Sequence, residues 1–158
     1  MVEVHVAWRE LFLALTDDLF REFGLEAPSH VQDPALPLSM GVQIHGVDID
    51  VSHHPFPGPS RVVIELGCGD LGKDPIVGLK RLLHLQHLLD PVRGKSFGVR
   101  PGTDHVSLIQ CVDLQGLCAA ELLRVLEDLS ETVAELVATE WLEGPASLAA
   151  PPDFMLMA

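Results

Sequence analysis

The segment from Pro75 to Asp90 constrains the fold of this chain most, because its apolar residues cannot all lie on one side of a helix. Pro75 suits a first helical turn, and Pro91 and Gly94 end the segment. The apolar side chains surround most of the helix: Ile76, Leu79, Leu82, Leu83, Leu85, Leu88 and Leu89. Such a helix must be covered on two sides. In a chain of 158 residues the second cover is often another subunit.

The other elements fall into groups of strands between helices. Apolar residues at three- and four-residue steps predict a first helix over 5–23 and a last helix over 117–142. Strands are predicted at Leu38–His45, Val47–Val51, Arg61–Leu66, Ser96–Arg100 and His105–Asp113. The third of these is expected to be covered on both faces. Short turns favour antiparallel pairing. The predicted fold is α+β, in the order α-β-β-β-α-β-β-α, with a twisted antiparallel sheet packed by helices.

The acidic composition argues against a nucleic-acid-binding protein. The formal net charge is −13, so clustered cations for binding phosphates are lacking and we expect no nucleic-acid partner. Glu3, Arg9 and Glu10 interrupt the N-terminal segment, which does not resemble a signal peptide, and no stretch is apolar for long enough to span a bilayer. We therefore expect a cytoplasmic protein with no membrane partner. The sparse cysteines fit reduced thiols in that compartment.

The segment Gly67-x-Gly69-x-x-Gly72 follows a predicted strand and precedes a helix. With Ile64-Glu65-Leu66 before it, it resembles the first motif of nucleotide-type methyltransferases, where glycines let the backbone approach S-adenosylmethionine. A second strand ending in an acidic residue should follow after about 20 residues. Asp90 lies near that distance, but it ends the leucine-rich helix. We therefore interpret Gly67–Gly72 as a turn and predict no cofactor, with a small methyltransferase-like enzyme as the alternative.

The histidine and cysteine side chains, which could bind a metal or act as nucleophiles, do not form a recognisable catalytic or metal-binding motif. His84 and His87 share a helix face, but no HExxH motif accompanies them, so we predict no metal site. Cys68 lies near Glu65 and Asp70, whose charges disfavour a reactive thiolate. No GxSxG motif is present. The sequence therefore predicts a protein that is not an enzyme.

The whole pattern resembles the class I chaperones of bacterial type III secretion, the Tir-chaperone (CesT-like) family. The resemblance covers roughly residues 5–142 and is carried by dispersed segments: Phe23-Gly24-Leu25, Val63-Ile64-Glu65-Leu66-Gly67, Leu79-x-x-Leu82-Leu83-His84-Leu85-Gln86, Val106-Ser107-Leu108-Ile109 and Glu140-Trp141. Gln86 stands where the family tends to have Asn. The domain is assigned to residues 1–143, and we expect the tail, 144–158, to be mobile.

The resemblance implies a homodimer that binds the N-terminal region of a secreted effector and keeps it extended, soluble and competent for export. Such a segment can insert apolar side chains into grooves or add a strand to a sheet edge. The residues predicted to bind the effector are Val6, Phe12, Val42, Ile44 and Val51. Those predicted at the dimer interface are Leu82, Leu85 and Leu89. The acidic outer face of the last helix is interpreted as solvated, with docking on a basic partner, such as the export apparatus, as the alternative.

Overall fold

Five strands, in which buried and exposed residues largely alternate, form a single antiparallel sheet. The computed structural model describes residues 2–27, 29, 33, 35–55, 58–89 and 94–139, without the side chains of 2–6. The elements are α1 (Val2–Glu22), β1 (Leu38–Ile44), β2 (Val47–His53), β3 (Arg61–Asp70), α2 (Pro75–Leu88), β4 (Lys95–Val99), β5 (His105–Asp113) and α3 (Ala119–Ala138). The predicted order and the α+β class are confirmed. The predicted tail, 144–158, lies outside the described residues.

The strand order in the sheet is β1-β2-β3-β5-β4, and every neighbouring pair is antiparallel. The β1–β2 hairpin turns through His45 and Gly46, both with positive φ (53° and 78°). Such a two-residue turn matches the twist of the flanking strands. Because β3 and β4 both pair antiparallel with β5, they run in the same direction, and α2 is the crossover between them.

Helices pack on one face of the sheet. The core contains alternate residues of β2 and β3, including Ile49, Val51, Ile64 and Leu66, packed with Leu126 and other residues of α1 and α3. The opposite face carries Asp50, Glu65, Ile109 and Ser96 in one row across four strands, and we call it the open face. No helix among the described elements buries it. The expectation that the third strand is covered on both faces is therefore wrong within one protomer.

Most of the glycine-rich segment, from Gly67 to Asp70, is strand and not a turn, so the prediction of a turn is wrong for these residues. β3 continues through Gly67 to Asp70, which pairs with His105 of β5. A bulge between Gly67 and Gly69 absorbs one extra residue and keeps the two strands paired. Local composition indicated a turn because glycine favours turns, but pairing with β5 decides the conformation.

The helix ends follow local capping signals. Asp74 begins α2, where its Oδ1 accepts hydrogen bonds from the backbone N–H groups of Ile76 and Val77 at 3.0 and 3.2 Å. At the start of α3, Glu121 Oε2 accepts the Cys118 N–H at 3.2 Å. Lys95 Nζ donates to Asp128 Oδ2 at 2.6 Å and ties β4 to α3. None of the described helices is both long and apolar enough to cross a membrane.

Candidate interaction surfaces

The groups that could carry chemistry are buried or scattered. Burial raises the pKa of the Cys68 thiol to about 12, so this thiol is not a nucleophile at neutral pH. The sequence had attributed its inertness to nearby carboxylates, but desolvation is the cause. Among the residues that the structure describes, no group of three His, Cys, Asp or Glu side chains could hold a metal ion.

The glycine-rich segment offers no cradle for a cofactor. Its backbone is engaged in β3, and the His105 ring lies against Gly67, with its Nε2 atom 3.0 Å from where a Cβ on Gly67 would stand. A nucleotide-binding loop needs free backbone N–H groups at the start of a helix. The methyltransferase alternative therefore receives no support from the geometry of this segment.

Two apolar sites lie along α1, one near its middle and one just after its C-terminal end. Leu11 is exposed near the middle of the helix. The exposed Leu36 lies near the same helix, where its carbonyl accepts a hydrogen bond from Arg9 Nη1 at 2.9 Å. Phe23 and Leu25, also exposed, follow the helix end. Leu11 and Phe23 are separated by 12 residues, or roughly 18 Å of helix. We call these four residues the α1 sites.

The residues predicted to bind an effector occupy different positions. Phe12 and Val51 are fully buried, Ile44 is nearly so, and Val42 is half-buried. The side chain of Val6 lies outside the described residues. The sequence pattern correctly predicted that α1 has an apolar stripe, but the residues at the centre of that stripe are buried in the core. The exposed apolar residues are Leu11, at the margin of this stripe, and Phe23, just after the helix ends.

The helix α2 lies beside β4, at the edge of the sheet. Gln86 Oε1 accepts the Phe97 N–H at 2.6 Å, so this helix satisfies a backbone donor that β5 leaves unpaired. Leu82 and Leu85 are each 7% exposed and pack inside the protomer, and Leu89 is half-buried. The residues of α2 that solvent reaches are others. They are Ile76, Val77, Leu79, Leu83 and Leu88, and we call them the α2 surface.

Apolar side chains of this size rarely form an exposed group on a monomer. Leu83 and Leu88 are 69% and 68% exposed, and Ile76 is 67% exposed. Burying one such side chain completely contributes about 1.5–3 kcal/mol. The protomer leaves this side of α2 exposed, and the expectation that a second subunit covers it stays a prediction.

The open face of the sheet carries a polar network around Glu65. Ser107 Oγ and Arg100 Nη2 donate to Glu65 Oε1 at 2.8 and 3.0 Å. Burial would raise the pKa of Glu65, but these hydrogen bonds and the Arg100 charge outweigh it and lower the pKa. Asp50 stands directly opposite Glu65 on β2. Desolvation and the Glu65 charge raise the pKa of Asp50.

The free edge of the sheet is β1, which pairs only with β2 among the described strands. The other edge, β4, is shielded by α2 at Phe97. An unshielded edge strand presents backbone N–H and C=O groups that can pair with another chain. The molecule thus combines an available edge, the α1 sites and the α2 surface.

Solved structures with this architecture were found at low sequence identity. The Yersinia pestis type III secretion chaperone SycH, in complex with a stable fragment of YscM2, is 18% identical, with a TM-score of 0.57 over 79% of this chain and 98% of that one. The fold is that of the type III secretion chaperones. A chain of the HopA1–SchA chaperone–effector complex is 17% identical, with a TM-score of 0.55 over 79% of this chain and 91% of that one.

A chain of the ExsC–ExsE complex extends the comparison. It is 14% identical, with a TM-score of 0.63, and the match covers 86% of this chain and 95% of that one. No protein-family model matches the sequence, and no curated protein matches it. The secretion-chaperone fold is therefore recognisable here from the arrangement of elements and not from sequence identity.

Proposed function

We propose that this protein is a cytoplasmic, non-enzymatic chaperone of the Tir-chaperone type. It binds the N-terminal region of a type III secreted effector and keeps that region extended, soluble and competent for export. The observation that carries the proposal is the secretion-chaperone fold, shared over 79–86% of the chain. It is joined by exposed apolar sites that a protein working alone would bury. The acidic outer face of α3 remains available to a basic partner such as the export apparatus.

The spacing of the α1 sites suits an extended client. The two sites are roughly 18 Å apart, a distance that an extended chain covers in about five or six residues at ~3.3 Å per residue. A client segment of that length can place one apolar side chain at Leu11 and another at Phe23 and Leu25. A folded client domain presents few apolar side chains in this way. The arrangement therefore selects unfolded polypeptide.

The second element of the proposal is a homodimer formed through the α2 surface. An obligate homodimer interface is more apolar than the remaining surface of a protein. In this chain that description fits the outward side of α2, with Ile76 and Leu83 at its centre. Dimerisation through α2 leaves the β1 edge free, since β1 and β4 are the opposite edges of the sheet. One dimer then offers two sets of client sites.

The proposal is tested by co-expression with the N-terminal region of a secreted protein encoded beside this gene. We expect the two proteins to co-purify as a soluble complex. Leu11→Asp and Phe23→Asp each place a charge in an α1 site, and each is expected to lower the affinity at least tenfold. Ala14→Asp, at an exposed position of α1, is the matched control and should leave the affinity unchanged. Equal binding by all three variants would contradict the proposed site.

A further inference from the structure

The α1 sites are two apolar positions with no exposed large apolar side chain between them. Leu11 and Phe23 are 50% and 46% exposed, and roughly 18 Å of helix separates them. The exposed residues of α1 between these two are Ala14, Asp18, Arg21 and Glu22. A ligand that fits both sites therefore needs a large apolar side chain at each of its ends and small or polar residues in its middle.

A segment of the same chain has this pattern in its sequence. Leu148 and Phe154 are six residues apart, and only small residues, two prolines and one aspartate separate them. Pro151 and Pro152 each fix φ near −65°, and a proline also disfavours a helical conformation in the residue before it. An extended stretch of the polyproline type rises about 3.1 Å per residue, so six residues of it span roughly 19 Å. This length matches the separation of the α1 sites.

The linker after α3 is long enough for this segment to return to α1. The described residues end at Thr139, directly after α3. Phe154 follows 15 residues later in the sequence, and an extended chain of that length covers up to about 50 Å. The 20 residues of α3 span roughly 30 Å. Phe154 can therefore pass back along the whole of α3, whereas Leu148, nine residues after Thr139, covers at most about 30 Å.

The beginning of α3 lies against the end of α1. The groove between them is lined by Asp18, Arg21 and Glu22 of α1 and by Cys118, Ala119 and Ala120 at the start of α3. Glu22 directly precedes Phe23 in the sequence, so a segment that follows α3 back to its start arrives at the second of the α1 sites. The greater reach of Phe154 assigns it to this site and leaves Leu148 for the site at Leu11.

We infer that residues 148–154 of this chain bind along α1 of the same molecule and occupy the α1 sites while no client is bound. Phe154 contacts Phe23, and Leu148 lies at Leu11. The contact itself needs no client, and its role as a competitor rests on the proposed function. A segment tethered by a short linker meets its site at an effective concentration of roughly millimolar, so a weak contact is enough. Because the contact is weak, the segment exchanges between this docked position and the free tail that the sequence predicts.

The α2 surface is a poorer match for this segment. Its exposed apolar residues follow one another along the helix, with Leu79 and Leu83 in the middle. A segment that has large apolar side chains only at its two ends would leave these leucines uncovered. The α1 sites, with small and polar residues between them, leave no such gap.

Disulfide trapping tests the contact in the protein alone, without a client. Met155→Cys puts a thiol beside Phe154, and the native Cys118, which is exposed, lines the groove next to the expected position of that thiol. In a glutathione redox buffer we expect these two residues to form a disulfide within one chain, which mass mapping of peptides identifies. Cys111 is also exposed and serves as the internal control, because it lies two residues from Ile109 on the open face of the sheet.

Matched variants show whether the two apolar side chains carry the contact. In the Met155→Cys background, Phe23→Asp and Leu148→Asp each place a charge at one end of the contact and should lower the yield of the Cys118 disulfide about fivefold or more. Ala149→Asp makes the same charge change between the two ends and should leave the yield unchanged. Thermal melts establish that each variant is folded.

Three results would overturn the inference. The first is equal yields of disulfide on Cys111 and Cys118, and the second is a Cys118 yield that neither Phe23→Asp nor Leu148→Asp lowers. The third is a disulfide that joins two chains, since the segment would then bind a neighbouring copy. None of these results depends on a client, so the inference is decided even if the protein binds no effector and the proposed function fails.

Client affinity tests the competition. Because the docked segment must leave before a client binds, Phe154→Asp should tighten the binding of the effector's N-terminal region about threefold or more, as calorimetry would measure. Ala149→Asp should leave this affinity at the wild-type value. Client binding that Phe154→Asp leaves unchanged or weakens would contradict the competition and would leave the proposed function standing.

Discussion

At the scale of single residues, His53 is a buried titratable group that the proposed function does not use. It is 1% exposed, stacks on Phe12 with ring centroids 5.5 Å apart, and its Nε2 atom lies 2.7 Å from the carbonyl of Pro59. Its Nδ1 atom has no hydrogen-bond partner among the described residues. Burial lowers the pKa of His53, because the core cannot solvate an imidazolium.

The first prediction is a pH-dependent loss of stability that originates at His53. The folded protein resists protonating this residue, whereas the unfolded chain takes up the proton with an ordinary pKa of about 6.5. The free energy of unfolding should therefore fall as the pH drops below that value, and above it His53 should add no pH dependence. His53→Gln keeps a side-chain N–H donor but does not titrate, so it should flatten this part of the profile.

Urea denaturation at several pH values between 5 and 7.5 measures this effect. His45→Gln, in the exposed β1–β2 turn, serves as the control and should retain the wild-type slope. A His53→Gln profile as steep as that of the wild type would assign the pH dependence to other groups.

At the scale of elements, α2 is placed by a close backbone approach at Gly78. A Cβ on this residue would collide with the Leu71 carbonyl and would lie 2.9 Å from the Leu71 Cβ. Helix propensity alone favours alanine over glycine by about 1 kcal/mol. Here the contact reverses that preference, because the helix cannot carry a side chain at this position without moving away from the loop after β3.

The second prediction follows from this contact. Gly78→Ala should destabilise the protein by about 2 kcal/mol, in spite of its better helix propensity, because the overlap involves backbone. Gly41→Ala is the matched control, since nothing lies within 4 Å of the position that its methyl group would take, and it should be close to neutral. Chemical denaturation compares the two. A stabilised Gly78→Ala protein would mean that α2 does not approach Leu71 so closely.

The third prediction separates the two sides of α2. Leu83→Asp should dissociate the dimer into folded monomers, because this side chain is exposed in the protomer and becomes buried only on association. Leu82→Asp should instead unfold the protomer, because Leu82 belongs to its core. Light scattering reports the oligomeric state and circular dichroism the fold. A dimeric Leu83→Asp protein would place the dimer interface elsewhere.

Local signals in the sequence predict most of the helices and strands, but they do not predict which side of α2 faces the core. The order of helices and strands follows from periodicity and from breaks at proline and glycine, which act over a few residues. Gly67–Gly72 was assigned to a turn because the partner strand that holds it, β5, lies about 40 residues further on. The apolar residues of α2 surround the helix, so the pattern could not show which of them face outward. Contacts at Gly78 and Gln86 decide that.

At the scale of the whole molecule, the protein separates its proposed interactions by position. The β1 edge lies at one end of the strand order, and α2 lies beside β4 at the other. A subunit can therefore dimerise at one end and bind a client at the other without competition between the two. One core contains residues of both helices, including Phe20 of α1 and Leu82 of α2.

The most direct test of the account is the molar mass of the complex with the effector's N-terminal region, measured by light scattering during size-exclusion chromatography. The account predicts a soluble complex of two copies of this protein with one client segment, and a dimer when the client is absent. A one-to-one complex built on a monomer would contradict the dimeric chaperone, and so would a stable monomer that leaves the client insoluble.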